Sequence, residues 1–549
     1  MFMSAEFGRL TSLRRKLCAR KEPTQNLFKG KRFLWLVLAA TMVLSSCTIN
    51  HKPRGFTFAV TEVDPVPTAS KQADKPRKIA IFFDGTANDE GSDTNVKRLH
   101  SLITLQDRGD IASLYILGVG TDMDAVGAAT GSGINARVKI AYEFILNHYR
   151  AATADRKADE IYIFGFSRGA YSARILTTML YFAGIVEEVH IPGNSRRYSS
   201  TEIAEATHKA LFPGFMRGDV NEHYLRPADI AAKLNALPNR LQSAVDYRGS
   251  IPVPVKLLGL WDTVEALGVF TMAGQRIKLA SRSTPPKVNT DNPNRRYGER
   301  LCNVEFAFHA LSIDDNRATV FTPLLLSRAH LYEGCFGING YAKASTGHAA
   351  FISPMLDGDG NIARGRLQEV WFSGAHSDVG GGYLDSELSG VSLNWMLNQV
   401  RRAAPDLLPK RIADTAEEQE PVRYVRENAL GRSHDPTTGI WATYPRITRD
   451  LVGYASQQQS LWGQELCVHK SVFTRRGLIG FEAHEYDQLE LTAPKEVQLA
   501  LGPYGKGRQW MWLRQRASED KPSIFKDFSV KEYPNCTFIE KSTRWGDDK

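Results

Sequence analysis

The run Gly165-Phe166-Ser167-Arg168-Gly169 constrains this chain more than any other feature because of what flanks it. Before it, Glu160-Ile-Tyr-Ile-Phe164 has the short apolar pattern of a buried strand; after it, Ala170 to Phe182 has the pattern of a helix. A strand that turns this sharply into a helix needs glycines beside the turn, and it leaves the middle residue at the apex. A serine hydroxyl is a poor nucleophile unless it is exposed, next to a base and facing amide donors for the developing oxyanion. The apex of such a turn meets the first and last needs, with the amide of Arg168 aimed at the oxyanion. Ser167 is therefore the candidate nucleophile, and a close-packed turn without chemistry is the alternative.

Other segments repeat the strand-then-helix alternation. Ile79 to Phe83 is a strand pattern closed by Asp84-Gly85-Thr86, and Leu114 to Leu117 is a second. Val138 to Tyr149 is helix-like, and strand patterns resume at Val253 to Leu260 and at Gln368 to Phe372. Alternation of this kind predicts an α/β fold with a mainly parallel central sheet flanked by helices. The polar, helix-prone stretch 186–241 has no clear strand-like run and reads as a helical cap inserted over the carboxyl edge of the sheet. The expected α/β domain spans 78–456. An aromatic-rich C-terminal extension follows at 457–549, either a separate β-rich module or an extension packed on the main domain.

In a sheet of this kind a serine triad runs in the order Ser, Asp or Glu, His, each at a strand end. Trp261-Asp262-Thr263 follows one strand and Ser373-Gly-Ala-His376-Ser-Asp378 follows a later one. Asp262 is thus the candidate acid and His376 the candidate base. Asp378 is expected to support the His376 loop, and Asp84 the turn that offers Gly85 or Thr86 as the second oxyanion amide. His309 is the rival base; it falls in Val304 to Ile313, which reads as a helix, where burial would explain it. His376 with Asp378, Asp84 and Asp262 could also hold a metal, but nothing in the spacing fixes a third ligand, so no metal or other cofactor is expected.

Five motifs in order resemble an α/β-hydrolase family that includes the type VI secretion phospholipase effectors. They are Phe83-Asp-Gly-Thr86, Gly165-Phe-Ser-Arg-Gly-Ala170, Gly259-Leu-Trp-Asp-Thr-Val264, His309-Ala-Leu-Ser-Ile-Asp314 with Arg317, and Trp371 through His376 to Tyr383. They cover roughly residues 78 to 400. The resemblance implies a triad of Ser167, Asp262 and His376 and hydrolysis of phospholipid acyl esters.

The formal net charge of +9 taken alone points to nucleic acid as a partner, but its distribution removes the main support for that reading. Residues 1–32 hold nine Lys and Arg against Glu6 and Glu22, leaving about +2 for everything after them. The charge belongs to a leader (1–46), in which Lys29, Lys31 and Arg32 precede the apolar run Phe33 to Leu44. As a helix that run rises only about 18 Å, short of a hydrocarbon core of about 30 Å. Positive flank, short apolar core and small residues form a signal-peptide pattern. It ends at Leu44-Ser45-Ser46-Cys47, which resembles the lipobox of bacterial lipoproteins and makes Cys47 the expected acylation site. The Pro-rich stretch 47–77 then reads as a flexible tether. Beyond Cys18 and Cys47 there remain Cys302, Cys335, Cys467 and Cys536, enough for two disulfides in an oxidising periplasm.

Together these features predict a membrane-anchored envelope esterase facing the periplasm, with a phospholipid or another ester as substrate. A non-catalytic envelope scaffold is the alternative. The leader generates a first prediction: Cys47→Ser accumulates as a full-length precursor that labels poorly with palmitate. Wild-type labelling and mobility of that variant would show a plain membrane anchor instead.

Overall fold

The computed structural model describes residues 62–63, 75–85, 93–104, 109–118, 132–190, 195–211, 245–249, 252–264, 300–317, 321, 323–326, 331, 353–359, 362–363, 365–408, 425–436, 449, 465–469, 471–472, 510–515 and 528–533. The leader, Cys47 and Thr86 lie outside the described residues.

In chain order the strands are β1 (Glu62–Val63), β2 (Lys78–Phe83), β3 (Ile111–Ile116), β4 (Glu160–Phe166), β5 (Val186–Val189) and β6 (Val245–Tyr247). They continue as β7 (Val255–Trp261), β8 (Val304–Ser312), β9 (Leu367–Phe372), β10 (Glu465–His469), β11 (Trp510–Gln515) and β12 (Phe528–Tyr533). The helices are α1 (Asn95–Thr104), α2 (Ser132–His148), α3 (Arg168–Phe182), α4 (Ser200–Leu211), α5 (His376–Gly380) and α6 (Glu387–Ala403).

The main sheet has the order β1-β3-β2-β4-β7-β8-β9-β10-β11-β12. From β3 to β10 every pairing is parallel, and only β1, β11 and β12 at the two edges pair antiparallel. This is the expected α/β-hydrolase-like arrangement, with seven parallel strands at its centre. Parallel strands need crossovers, so helices cover both faces and the strands are apolar on both sides. On one face the register aligns Phe82, Phe164, Gly259, Phe308 and Gln368 in a row across five strands. α1 and α6 cover that row: His100 meets Phe82, and Trp395 meets Phe308 and donates to Gln368. α2 and α3 lie against the other face. Fully burying each Phe of that row contributes about 1.5–3 kcal/mol.

The structure departs from the sequence reading in three places. Val304 to Ile313 is not a helix. Val304–Ser312 is β8, paired in register with β7 on one side and β9 on the other. A strand buried on both faces is nearly continuously apolar, so its period of two is hidden and a helical period can be fitted to it. The stretch 186–241 is not wholly helical either: Val186–Val189 forms β5, which pairs with β6 in a separate two-stranded sheet. Of the expected cap, α4 packs against α2, where Thr201 bonds Glu143, and 212–241 lies outside the described residues. Third, Glu62–Val63, inside the stretch read as tether, pairs with β3.

The turn after β4 is held close to β2. A Cβ on Gly169 would stand 2.2 Å from the carbonyl oxygen of Phe83 and 2.5 Å from that of Asp84. No side chain fits there without moving backbone, so α3 starts directly against the end of β2. Gly169→Ala is predicted to destabilise the protein by about 1–3 kcal/mol, the usual cost of overpacking. A melting temperature equal to wild type would contradict this close approach.

Candidate active site

Ser167 sits at the end of β4 with φ 59° and ψ −126°, a conformation few non-glycine residues adopt. The neighbouring strand β7 and the first turn of α3 hold it there: its amide donates to the Trp261 carbonyl at 2.9 Å, and its own carbonyl accepts from Tyr171 N at 3.2 Å. Strain of this kind persists only where the surroundings over-determine it. Asp262, one residue past β7, is the other non-glycine residue with positive φ among those described (39°). Its amide donates to Ala310 O at 2.7 Å and its Oδ1 accepts from Ser312 N at 3.0 Å.

His376 begins α5, just past β9, and its ring lies between these two residues. Nε2 is 2.7 Å from Ser167 Oγ, and Nδ1 is 2.5 Å from Asp262 Oδ2. Phe166 and Phe321 pack on the imidazole at 4.7 and 4.8 Å between centroids. The His376 amide donates to Asp315 Oδ2 at 3.1 Å, and Arg317 in turn donates to both oxygens of Asp315. Burial pulls the His376 imidazole below its ordinary value, although Asp262 and Asp315 act to raise it. Burial alone would raise the Asp262 carboxyl, but the Arg449 guanidinium and His376 hold it well below the usual carboxylate range. The fold thus joins a neutral base, an ionised acid and a hydroxyl in one hydrogen-bonded line, the arrangement by which a serine can lose its proton on attack.

Asp84 lies buried at the end of β2. Its Oδ2 accepts from Thr94 Oγ1 at 2.8 Å and from the Tyr115 hydroxyl, and its Oδ1 accepts from the Gly85 amide at 2.6 Å. Burial pushes its carboxyl up to about 6, against the pull of these three donors. The Gly85 amide is therefore engaged by Asp84 here. Arg168, the first residue of α3, is buried, which brings its guanidinium down to about 10, with Arg137 adding to the effect.

His309 is fully buried in β8. Its Nδ1 is 2.8 Å from Glu369 Oε2 and its Nε2 accepts from the Thr263 amide at 3.2 Å. Glu369 also accepts from Leu326 N at 2.7 Å. The four residues of the metal reading do not converge: both His376 nitrogens face Ser167 and Asp262, and Asp378 faces amides and His434. The group among the described residues that could hold a metal ion is Glu188, His190 and Asp246, at the β5–β6 sheet.

The sequence model described as "T6SS, Phospholipase effector Tle1-like, catalytic domain" matches residues 77–399. The chain belongs to this family. A curated relative, the uncharacterized protein YEL023C of Saccharomyces cerevisiae, is 23% identical over 441 residues, which are 63% of this chain. The chain spans 60% of that relative's length. Among solved structures, an uncharacterized protein from Pseudomonas aeruginosa aligns with TM-score 0.32 and 16% identity, over 86% of this chain and 66% of that one. The Tle1 effector bound to the VgrG spike of the type VI secretion system aligns with TM-score 0.23 and 18% identity, over 56% of this chain and 51% of that one.

Among the described residues, Arg449, His434 and Ser433 reach the site from beyond the Tle1-like match, and none was singled out by the sequence. Arg449 is fully buried and donates to both oxygens of Asp262, at 2.6 Å from Nη1 and 2.8 Å from Nη2. His434 donates its amide to Asp378 at 3.0 Å and sets Nδ1 2.7 Å from the other carboxylate oxygen. Asp378 also accepts from Ala375 N at 3.0 Å, so it ties the His376 turn to this later stretch. A buried arginine in a loop carries no periodic signal, so only the fold reveals these contacts.

The same geometry separates the two histidines. His309→Ala removes a buried hydrogen-bond partner from Glu369 and from the Thr263 amide, and leaving such groups short of a partner costs about 1–3 kcal/mol. The variant should melt well below wild type in calorimetry, and an unchanged melting temperature would contradict a structural role for this pair.

Proposed function

We propose that this protein is a lipid-anchored serine esterase of the cell envelope that cleaves acyl esters of phospholipids. The reading is supported chiefly by the line Ser167 Oγ, His376 Nε2, His376 Nδ1, Asp262 Oδ2, with both gaps within hydrogen-bond reach. Membership of the Tle1-like phospholipase family supports the lipid substrate.

In the proposed reaction Ser167 Oγ attacks the ester carbonyl while His376 Nε2 takes its proton. The carbonyl π electrons move to oxygen, and the oxyanion meets the amide of Arg168. The second donor is proposed from the turn after β2, from Gly85 or Thr86; the Gly85 amide meets Asp84 Oδ1, and Thr86 lies outside the described residues. Collapse expels the alcohol, which takes the proton from His376 and leaves an acyl-serine. Water, deprotonated by the same nitrogen, then releases the fatty acid and restores Ser167. Asp262 stays ionised and stabilises the imidazolium formed in both steps.

The envelope setting is proposed from the leader and Cys47. Two acyl chains anchor a protein stably where one does not. Cys302 and Cys467 are both disulfide-bonded, which suits an oxidising compartment.

Two outcomes test the reading. Ser167→Ala and His376→Ala should each lose several orders of magnitude of ester hydrolysis, since nucleophile and base act as one unit. The Ser167 variant should also lose fluorophosphonate labelling. Fatty acid release from mixed phospholipids identifies the substrate; turnover of aryl esters alone points to a non-lipid ester, and no labelling at all to a scaffold. The second outcome concerns pH. His376 acts as base only when neutral, and burial lowers its pKa, so the neutral form persists into more acidic solution. The acid limb of kcat/KM should therefore lie below pH of about 6.5, the ordinary imidazole value. A limb above it would contradict the assignment of His376.

A further inference from the structure

The Tle1-like match ends at residue 399, yet the carboxylate of Asp262 is held from beyond it. Arg449 grips both oxygens of Asp262 in a fork, and the same guanidinium donates to Ser312 O at 2.5 Å and Phe321 O at 2.9 Å. One side chain thereby joins the turn after β7, the end of β8 and the loop that carries Phe321 against the His376 ring. Both partners of the pair are fully buried, so solvent screens their attraction little. Asp262 is itself in the strained φ region, and rotation of its carboxylate would break the bond to His376.

We propose that Arg449 is a positioning residue for the reaction: it fixes the Asp262 carboxylate toward His376 and opposes uptake of a second proton by the Asp262–His376 couple, so that His376 Nε2 is free to accept one. The proposal rests on the serine-esterase reading above. A planar fork bonded to both oxygens sets the plane of the carboxylate, which a point charge does not. It leaves Oδ2 bonded to Arg449 and, on its other side, to His376 Nδ1. The positive charge opposes uptake of a proton by either member of the couple, whichever holds it. Among the described residues, the other ionisable groups that act on the couple are Asp315 and Arg317, from the loop after β8; His309 stands behind Thr263. Asp315 favours the proton and Arg317 opposes it, so Arg449 is the cation in direct contact with the acid. The stretch after residue 399 is thus part of the catalytic unit.

The test compares full-length wild type, Arg449→Lys and Arg449→Met on a soluble aryl ester across pH, with melting curves for each. Arg449→Met should lose about 10²-fold in kcat, the scale of a displaced reacting group. Its acid limb should move up by about one to three pH units, because a cation that opposed protonation is gone. Arg449→Lys keeps the charge and loses the fork, so its limb should stay near wild type while kcat still falls. Ethylguanidinium added to Arg449→Ala should restore part of the lost rate. A purely structural arginine would instead lower the melting temperature and leave kcat and the limb of the folded fraction unchanged, and that result would overturn the proposal. If Arg449→Met does not fold, Arg449→Lys decides: wild-type kcat in that variant also overturns it. Wild-type protein inert toward esters and fluorophosphonate would sink the esterase reading itself, a result distinct from either.

Discussion

An ionised carboxylate inside a protein is stable only where its charge is answered by donors and cations, and Asp262 is fully buried at the end of β7. The Ser312 amide, both Nη atoms of Arg449 and the His376 ring surround it. Those partners come from β8, from residue 449 and from α5, so the site forms only when these segments are in register. The strained backbone at Ser167 and Asp262 depends on the same assembly, because the Ser167 amide is tied to Trp261 O and the Asp262 amide to Ala310 O.

Around this centre the chain places polar groups in layers. Nearest the couple, Asp315 holds the His376 amide and Asp378 holds that of Ala375. One step further out, His309 and Glu369 brace Thr263 and Leu326, while His434 braces Asp378. Each buried acid meets a donor, as burial demands. Asp84 is the contrast: three donors surround it and the Lys97 charge also acts to lower it, yet burial raises it to about 6. Two carboxylates at strand ends on either side of β4 thus have opposite tendencies to ionise, and the Arg449 guanidinium buried beside Asp262 sets much of the difference.

The parallel sheet explains where the site lies. Parallel strands all deliver their carboxyl ends to one edge, so residues just past β2, β4, β7 and β9 gather there whatever their separation in sequence. The strands past β9 extend this sheet: β10 pairs with β9 and carries β11 and β12 outward. The C-terminal stretch therefore contributes both to the sheet, through these strands, and to the site, through His434 and Arg449.

The elbow, the strands on either side of it and the order of serine, aspartate and histidine at strand ends were legible in the sequence. These follow from local rules: apolar period, glycine where a turn admits no Cβ, and a polar residue directly after an apolar strand. The strand nature of 304–312 was not legible, because burial on both faces removes the alternation that marks a strand. Nor was the pairing of β5 with β6, a short contact made across a long separation. Arg449 lies 187 residues from Asp262, and nothing in its immediate neighbours distinguishes it from a surface arginine. The sequence by itself determined which residues could carry the chemistry, since that depends on residue type and local backbone. Which charges stand beside them was decided only by the tertiary structure, since electrostatic contact depends on distance in space and on the exclusion of water.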